Sequence, residues 1–147
     1  MQLYLLVTGV LVGFAAWVTV AGFGFLLLRT TWSSYAAAEP AKSYTLAMLI
    51  SRLMVGVVCT LAAGAVAALV AKGSRAASLF LGIVLLLISA PVHLPIELGL
   101  HVSVWADYPA WYHFTYLLPL IPLTVFGGML ATVNLKKYPV NFLRKNP

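Results

Sequence analysis

The sequence predicts an all-α integral membrane protein whose architecture is a four-helix transmembrane bundle. The chain has 147 residues, of which 63% are hydrophobic and only 8% are charged, and its mean hydropathy is +1.01. A soluble domain carries roughly a quarter charged residues and about half apolar ones, so this composition excludes a water-soluble globule. The single cysteine, Cys59, excludes a disulfide scaffold within the chain.

Four apolar stretches are long enough to cross a bilayer. A hydrocarbon core about 30 Å thick needs roughly 20 apolar residues in a helix. We expect the spans at about residues 3–28, 45–71, 76–103 and 112–135, which makes residues 1–147 a single transmembrane domain. The apolar runs do not alternate with polar residues, so the pattern favours helices over a transmembrane β-barrel.

The distribution of charge predicts the orientation of these spans. All three acids, Glu39, Glu97 and Asp107, fall on one side of a four-span protein. Basic residues collect on the other side, in the second connection and the C-terminal tail: Lys72, Arg75, Lys136, Lys137, Arg144 and Lys145. The positive-inside rule therefore predicts cytoplasmic termini, as in a protein of a bacterial inner membrane. The net charge of +6 serves topology and lipid contact, and no nucleic-acid partner is expected.

Aromatic residues predict the outer boundary of the membrane. Tryptophan and tyrosine favour the headgroup level, where one end of the side chain is apolar and the other is wet. They flank the first and third connections here: Trp32, Tyr35, Tyr44, Trp105, Tyr108, Trp111, Tyr112 and Tyr116. We expect these side chains to form an interfacial belt on the outer side.

Small residues at helical spacing predict close contacts between helices. In lipid, glycine, alanine and serine let backbones approach each other. Gly9 and Gly13 form a GxxxG pattern in the first span. The second span carries small residues on one helical face, namely Gly56, Thr60, Gly64 and Ala68. We interpret these faces as packing within the bundle, with a specific subunit interface as the alternative.

Two pairs of prolines predict bends in the outer halves of the third and fourth spans. Pro91 and Pro95 lie four residues apart in the third span, and Pro119 and Pro122 lie near the start of the fourth. Proline removes a backbone donor and its ring meets the carbonyl of the residue four positions earlier. A kinked bundle is therefore expected, and the kinks either shape the bundle or line a cavity.

Polar residues gather near the outer ends of the third and fourth spans. His93, Glu97 and His101 are spaced four residues apart, which places them on one face of an unbroken helix. Counting about 20 residues outward from the cytoplasmic ends puts Arg52, Glu97 and His113 at a common height. An Arg52–Glu97 ion pair would tie the second span to the third. The candidate ligand-binding residues are His93, Glu97, His101, Asp107, Tyr112 and His113, since ionisable residues inside spans are binding-site candidates.

Several ligands are compatible with this cluster. A divalent metal such as zinc could use the histidines and Glu97. A single haem b could use His93 or His101 together with His113, because the first two spans contain no histidine. A quinone or other lipid-like ligand would hydrogen-bond to the histidines, Tyr112 and Tyr116 in an apolar pocket.

A short part of the chain resembles a known superfamily. The segment 93–97, with the sequence HLPIE, precedes an aromatic-rich fourth span that contains Pro119 and Pro122. This arrangement resembles the sterol isomerase and sigma-2 receptor superfamily of small helical bundles. The resemblance implies an apolar pocket with a histidine and a carboxylate, here His93 and Glu97, at which the carboxylate would stabilise a cationic, sterol-like ligand. The first two spans contain no intramembrane acid, which departs from that pattern.

The sequence contains no complete catalytic set, so we expect a non-enzymatic protein. No CxxC, HExxH, GxSxG or Walker pattern occurs. Little chain lies outside the four spans. We therefore expect an accessory or structural subunit of a larger membrane assembly, in contact with other subunits or with copies of itself. The alternative is a membrane protein that binds a lipophilic ligand or cofactor at the outer His/Glu cluster, as an enzyme or otherwise.

Overall fold

The computed structural model of the protein describes residues 3–94 and 108–137, and these residues form six helices with no strand among them. Four helical spans are long and apolar enough to cross a membrane. The helices are α1 (Leu3–Thr31), α2 (Ser33–Ala38), α3 (Leu46–Val70), α4 (Arg75–His93), α5 (Ala110–Leu117) and α6 (Leu120–Lys137). The prediction of an all-helical protein with four potential membrane spans is confirmed.

The bounds of the spans differ from the predicted bounds at several ends. The first span continues to Thr31, since Arg29, Thr30 and Thr31 follow the apolar part and are still helical. The second begins at Leu46, where the Thr45 hydroxyl accepts a hydrogen bond from the Met48 amide at 3.4 Å. The fourth begins at Ala110 and comprises α5 and α6 together. The predicted residues 95–103 of the third span lie outside the described residues.

The turn between α3 and α4 depends on a left-handed backbone. Lys72 and Gly73 have φ angles of +53° and +85°, and the Gly73 amide donates to the Ala68 carbonyl at 2.7 Å. Glycine adopts this conformation without a steric penalty, so the chain reverses within four residues. The turn marks one end of the bundle, which we call the Lys72 end. The opposite end, where α3 begins, is called the Arg52 end.

The spans alternate in direction. Gly9 and Gly13 of α1 approach Ala77 and Leu81 of α4 at corresponding heights, so α1 and α4 run parallel. Gly13 also contacts Ala67 of α3, which runs in the opposite direction. The α5–α6 span runs parallel to α3. Consequently α1 and α4 both end at the Arg52 end, where α3 and α5 begin.

Glycines at the helix crossings hold α3, α4 and α6 at backbone contact. A Cβ atom on Gly64 would collide with the backbone of Thr124 in α6. The Ser78 hydroxyl of α4 donates to the Gly64 carbonyl at 2.8 Å, so a single glycine lies at the junction of three helices. Gly127 faces the Leu61 backbone in the same way. These contacts agree with the interpretation of the small residues as packing within the bundle.

The described prolines lie inside or between the helices of the third and fourth spans. α4 continues through Pro91 to His93. The fourth span is divided into α5 and α6 at Leu118 and Pro119, where Pro119 has no amide hydrogen to donate. Pro95 lies outside the described residues. The kinks themselves stay a prediction.

Candidate functional site

A buried arginine surrounded by tyrosines forms the centre of the Arg52 end. Arg52 lies six residues after the start of α3, about 9 Å along the helix axis, and only 6% of it is exposed. Its Nη1 donates to the Tyr35 hydroxyl at 2.5 Å and to the Tyr44 hydroxyl at 3.3 Å. The Tyr112 hydroxyl is also within hydrogen-bonding reach of the guanidinium. Hydrogen bonds to a charged donor are stronger than neutral ones, so these contacts hold Arg52 in place.

Aromatic faces complete the surroundings of the guanidinium. Its Cζ lies 4.8 Å from the ring centre of Phe25 and 4.9 Å from that of Tyr44. Tyr108 stacks on Tyr112, with 5.1 Å between ring centres. Such faces attract a cation through the ring quadrupole, most strongly where water is excluded. We call Arg52 with Tyr35, Tyr44, Tyr108 and Tyr112 the Arg52 cluster.

Burial within this cluster changes the acidity of its tyrosines. Tyr35 is fully buried and Tyr108 is 9% exposed. Burial raises the pKa of Tyr35 above its ordinary value, and the neighbouring Arg52 opposes this only in part. Burial likewise raises the pKa of Tyr108 above its ordinary value. Both hydroxyls therefore stay protonated at neutral pH and act as neutral hydrogen-bonding groups.

Three tyrosines of the predicted interfacial belt point into the bundle. Tyr35, Tyr108 and Tyr112 turn inward, because Arg52 offers donors and a positive charge that lipid cannot supply. Trp111, another member of the predicted belt, is 41% exposed. Trp105 lies outside the described residues.

Two histidines meet beside the Arg52 cluster. His93 is the last residue of α4 and His113 lies in α5. Their Nδ1 atoms are 3.1 Å apart, so one ring donates and the other accepts. The His93 ring stacks on Tyr116, with 4.4 Å between ring centres. The contact between the two histidines joins the third span to the fourth at the Arg52 end.

A cavity of about 250 Å³ lies directly beneath these polar groups. Its lower wall is apolar and consists of Trp17, Ala21, Cys59 and Ile88, with Phe25 above them. Trp17 is the middle residue of α1, so the cavity extends from the middle of the bundle towards the Arg52 end. Cys59 is buried, as expected for a small apolar side chain in a span.

The upper wall of the cavity carries the polar groups. Arg52, Ser89, His93, Tyr112 and Tyr116 line it. All five are able to donate a hydrogen bond, and the Ser89 hydroxyl is within hydrogen-bonding reach of Tyr116. The cavity is therefore amphipathic, with an apolar part at mid-membrane depth and donors at one end. Such an arrangement is typical of sites for lipophilic molecules that carry a polar head.

The structure brings together only part of the predicted site. Arg52, Tyr112, His93 and His113 lie together, each within hydrogen-bonding or ring contact of another member of this group. Glu97, His101 and Asp107 lie outside the described residues, and so does the predicted Arg52–Glu97 pair. A different ion pair is present between Arg29 and Glu39, with Nε–Oε2 at 2.5 Å.

Sequence reasoning missed the contribution of the first span. Trp17 and Phe25 have no polar neighbour in sequence that marks them as lining residues. The signal that was available is their spacing, since residues 17, 21 and 25 are four apart and share one helical face. The sequence positions of Tyr35 and Tyr44 are compatible both with the membrane interface, to which they were assigned, and with contact to Arg52. The sequence alone therefore could not distinguish the two locations.

The histidine pair does not fit haem b as it stands. Axial ligands lie on opposite faces of the macrocycle, whereas the His93 and His113 rings contact each other directly. The pair supplies two metal ligands at most. In residues 3–94 and 108–137, no group of three or more histidine, cysteine, aspartate or glutamate side chains comes together.

Comparison with known proteins finds no matching family model, no matching curated protein and no matching solved structure. The resemblance to the sterol isomerase and sigma-2 receptor superfamily therefore remains limited to the residues that suggested it.

Proposed function

We propose that this membrane protein binds a lipophilic ligand whose compact head carries hydrogen-bond acceptors. The observation that carries the proposal is the amphipathic cavity, which combines an apolar lower wall with donors at the Arg52 end. Ligand sites in proteins are mostly apolar concavities with a few convergent polar groups that orient the ligand. This cavity has that composition, and the tyrosines of the Arg52 cluster hold the Arg52 guanidinium in place.

The size of the cavity selects among the ligand classes. Pockets for drug-sized molecules measure roughly 300–1,000 Å³, and this cavity measures about 250 Å³. A porphyrin or the fused rings of a sterol would not be enclosed. A single ring with carbonyl oxygens, such as the head of a quinone, is the better match.

The chemistry of the upper wall supports the same class. The Arg52 guanidinium and the hydroxyls of Tyr112 and Tyr116 donate to oxygen atoms of a head group. The His93 ring and Tyr116 stack on each other and offer a flat surface for a planar head. The proposal concerns binding and orientation of this ligand, and it includes no chemical step.

The expectation of an accessory subunit receives no separate support from the geometry. One of its motives was the small-residue faces, and Gly9, Gly13, Gly64 and Gly127 pack against other spans of the same chain. We retain cytoplasmic termini and a bacterial inner membrane as part of the proposal, on the strength of the basic residues at the Lys72 end.

The test compares two alanine-to-phenylalanine substitutions on α1. Ala21 lines the cavity, whereas Ala15 is exposed on the same helix. Ala21→Phe places a ring in the cavity, and Ala15→Phe places one in lipid. The protein is extracted in mild detergent, and retained molecules are identified by native mass spectrometry. We expect a retained lipophilic molecule in the parent and in Ala15→Phe, and its loss in Ala21→Phe.

Retention of the same molecule by Ala21→Phe would contradict binding in this cavity. Absence of any retained molecule from the parent, followed by no saturable uptake of added decyl-substituted benzoquinone, would contradict the proposal as a whole. Native gel electrophoresis of gently solubilised membranes tests the accessory-subunit expectation in the same preparation, because a subunit migrates with a larger assembly.

A further inference from the structure

The most exposed residue of the cavity lining lies on α4, opposite α1. Ile88 of α4 is 53% exposed, and Phe25 of α1 is half-buried on the opposite side. On the other two helices, Cys59 of α3 and Tyr112 of α5 are deeply buried, at 1% and 3% exposure. Gly56 of α3 and Tyr116 of α5 are half-buried, and both also line a second cavity of about 140 Å³ between α3, α5 and the start of α6. The cavity is therefore most open between α1 and α4, where Ile88 lies.

The spacing of α1 and α4 changes along their length. Near the Lys72 end the two helices touch, since a Cβ on Gly9 would meet Ala77 and a Cβ on Gly13 would meet Leu81. Towards the Arg52 end the cavity separates them, with Ala21 on one side and residues 88–93 on the other. Two parallel helices that touch at one end and separate at the other leave a lateral slit in the wall of the bundle.

This slit faces the hydrocarbon of the bilayer. Side chains next to it on the outside of both helices are large, apolar and exposed, including Val18 and Leu26 of α1 and Leu87 of α4. Exposed apolar surface on a transmembrane span contacts acyl chains. The end of the cavity nearest the headgroups is occupied by the buried Arg52 and Tyr35 side chains.

We infer that the ligand enters sideways from the bilayer between α1 and α4, and that it is a tail-bearing amphiphile. Its carbonyl-bearing ring lies against Arg52 and His93, and its single apolar tail leaves through the slit into the hydrocarbon. This inference rests on the proposed function and adds the entry route and the class of ligand.

The volume of the cavity explains why a tail has to lie outside. The cavity volume of about 250 Å³ lies below the roughly 300–1,000 Å³ of pockets that enclose drug-sized molecules, so it holds a ring and only a few methylene groups. A longer chain fits only by continuing past Ile88 and Phe25. Each methylene group that stays in an apolar environment avoids a cost of about 0.8 kcal/mol in water, so a tail favours the lateral route over an aqueous one.

Two photoreactive probes test this geometry in the full-length protein reconstituted into phosphatidylcholine vesicles. Both are decyl-substituted benzoquinones; one carries a diazirine on the ring and the other carries it at the end of the tail. Labelled peptides are mapped by mass spectrometry, with excess unlabelled decyl-benzoquinone as competitor. We expect the ring probe to label α5 around Tyr112 and Tyr116 and α3 around Gly56. We expect the tail probe to label the two sides of the slit, around Phe25 and Ile88.

The outcomes separate the inference from the proposed function. Competed labelling by the ring probe, with tail labelling at Tyr35 or Tyr44, would overturn lateral entry and leave ligand binding intact. Absence of competed labelling by both probes would overturn the proposed function. Ala21→Phe should reduce competed labelling by at least about tenfold, and Ala15→Phe should leave it unchanged. Competition in the parent protein decides the question even if Ala21→Phe does not fold.

Discussion

Replacement of Gly64 by alanine is expected to destabilise the bundle, whereas the same replacement at Gly22 is not. The new Cβ would lie 2.7 Å from the Cα of Thr124, whereas carbon atoms pack favourably at about 3.5–4.0 Å. α6 would have to retreat by about 1 Å, which would also loosen the contact of Gly127 with Leu61. Overpacking of a close contact costs typically 1–3 kcal/mol, and we expect about 2–3 kcal/mol for Gly64→Ala because the obstacle is backbone.

Gly22 provides the matched control, because nothing lies within 4 Å of a Cβ built there. Gly22→Ala should leave stability unchanged or raise it by up to about 1 kcal/mol through helix propensity. Both variants are unfolded by increasing the mole fraction of sodium dodecyl sulfate in dodecyl maltoside micelles, and helicity is followed by circular dichroism. Equal midpoints for Gly64→Ala and Gly22→Ala would refute the close contact between α3 and α6.

Three further predictions concern the polar end and the cavity floor. Tyr35→Phe removes a 2.5 Å hydrogen bond to buried Arg52 and should lower the free energy of unfolding by about 1.5–3 kcal/mol. Tyr44→Phe removes a longer hydrogen bond of 3.3 Å and should lower the free energy of unfolding by less, measured in the same micelle titration. The pKa of Tyr108 is raised by burial, so the unfolded chain loses this proton first, and stability should be constant up to about pH 10 and fall above it. Tyr108→Phe should flatten that fall, and an unchanged slope would show that Tyr108 is not the group responsible. Cys59 is buried and is the only cysteine; it should react with N-ethylmaleimide slowly in the folded protein and rapidly in sodium dodecyl sulfate, and equal rates would argue against its burial.

The membrane spans could be predicted from sequence because their signal is additive. Each apolar residue contributes to the hydropathy of a window, and four windows exceed the length that a bilayer requires. The ends of the spans were predicted less accurately. Thr31 and Ala110 belong to helices although their neighbours are not strongly apolar, since a helix continues beyond the hydrocarbon wherever its backbone hydrogen bonds are satisfied.

The sequence predicted a common height for Arg52, Glu97 and His113, because residues per span convert directly into depth, and Glu97 lies outside the described residues. The partners of these residues could not be predicted. The predicted Arg52–Glu97 pair lies outside the described residues, and the tyrosine hydroxyls and rings that contact Arg52 were not predicted as its partners. Which of several side chains at one height turns inward depends on helix rotation, and nearly uniform apolarity around a membrane span conceals that rotation.

The cavity was beyond sequence reasoning for a similar reason. It exists because α1 and α4 touch at Gly9 and Gly13 and separate near Ala21. The positions of the glycines indicate where helices approach each other. Small residues also occur beside the cavity, at Ala21, Gly22 and Gly24 of α1, so the sequence does not reveal whether lipid, a side chain or a ligand occupies the space there.

The central claim is that the amphipathic cavity beneath Arg52 and His93 holds the head of a membrane-dissolved molecule. The most direct measurement is an experimental density map of the protein in nanodiscs formed from its own membrane, without added detergent. The account predicts continuous non-protein density from the Arg52 side chain, past Ala21, to the slit between α1 and α4. A map in which Trp17 and Phe25 fill the cavity, with lipid density confined to the outer surface of the bundle, would contradict it.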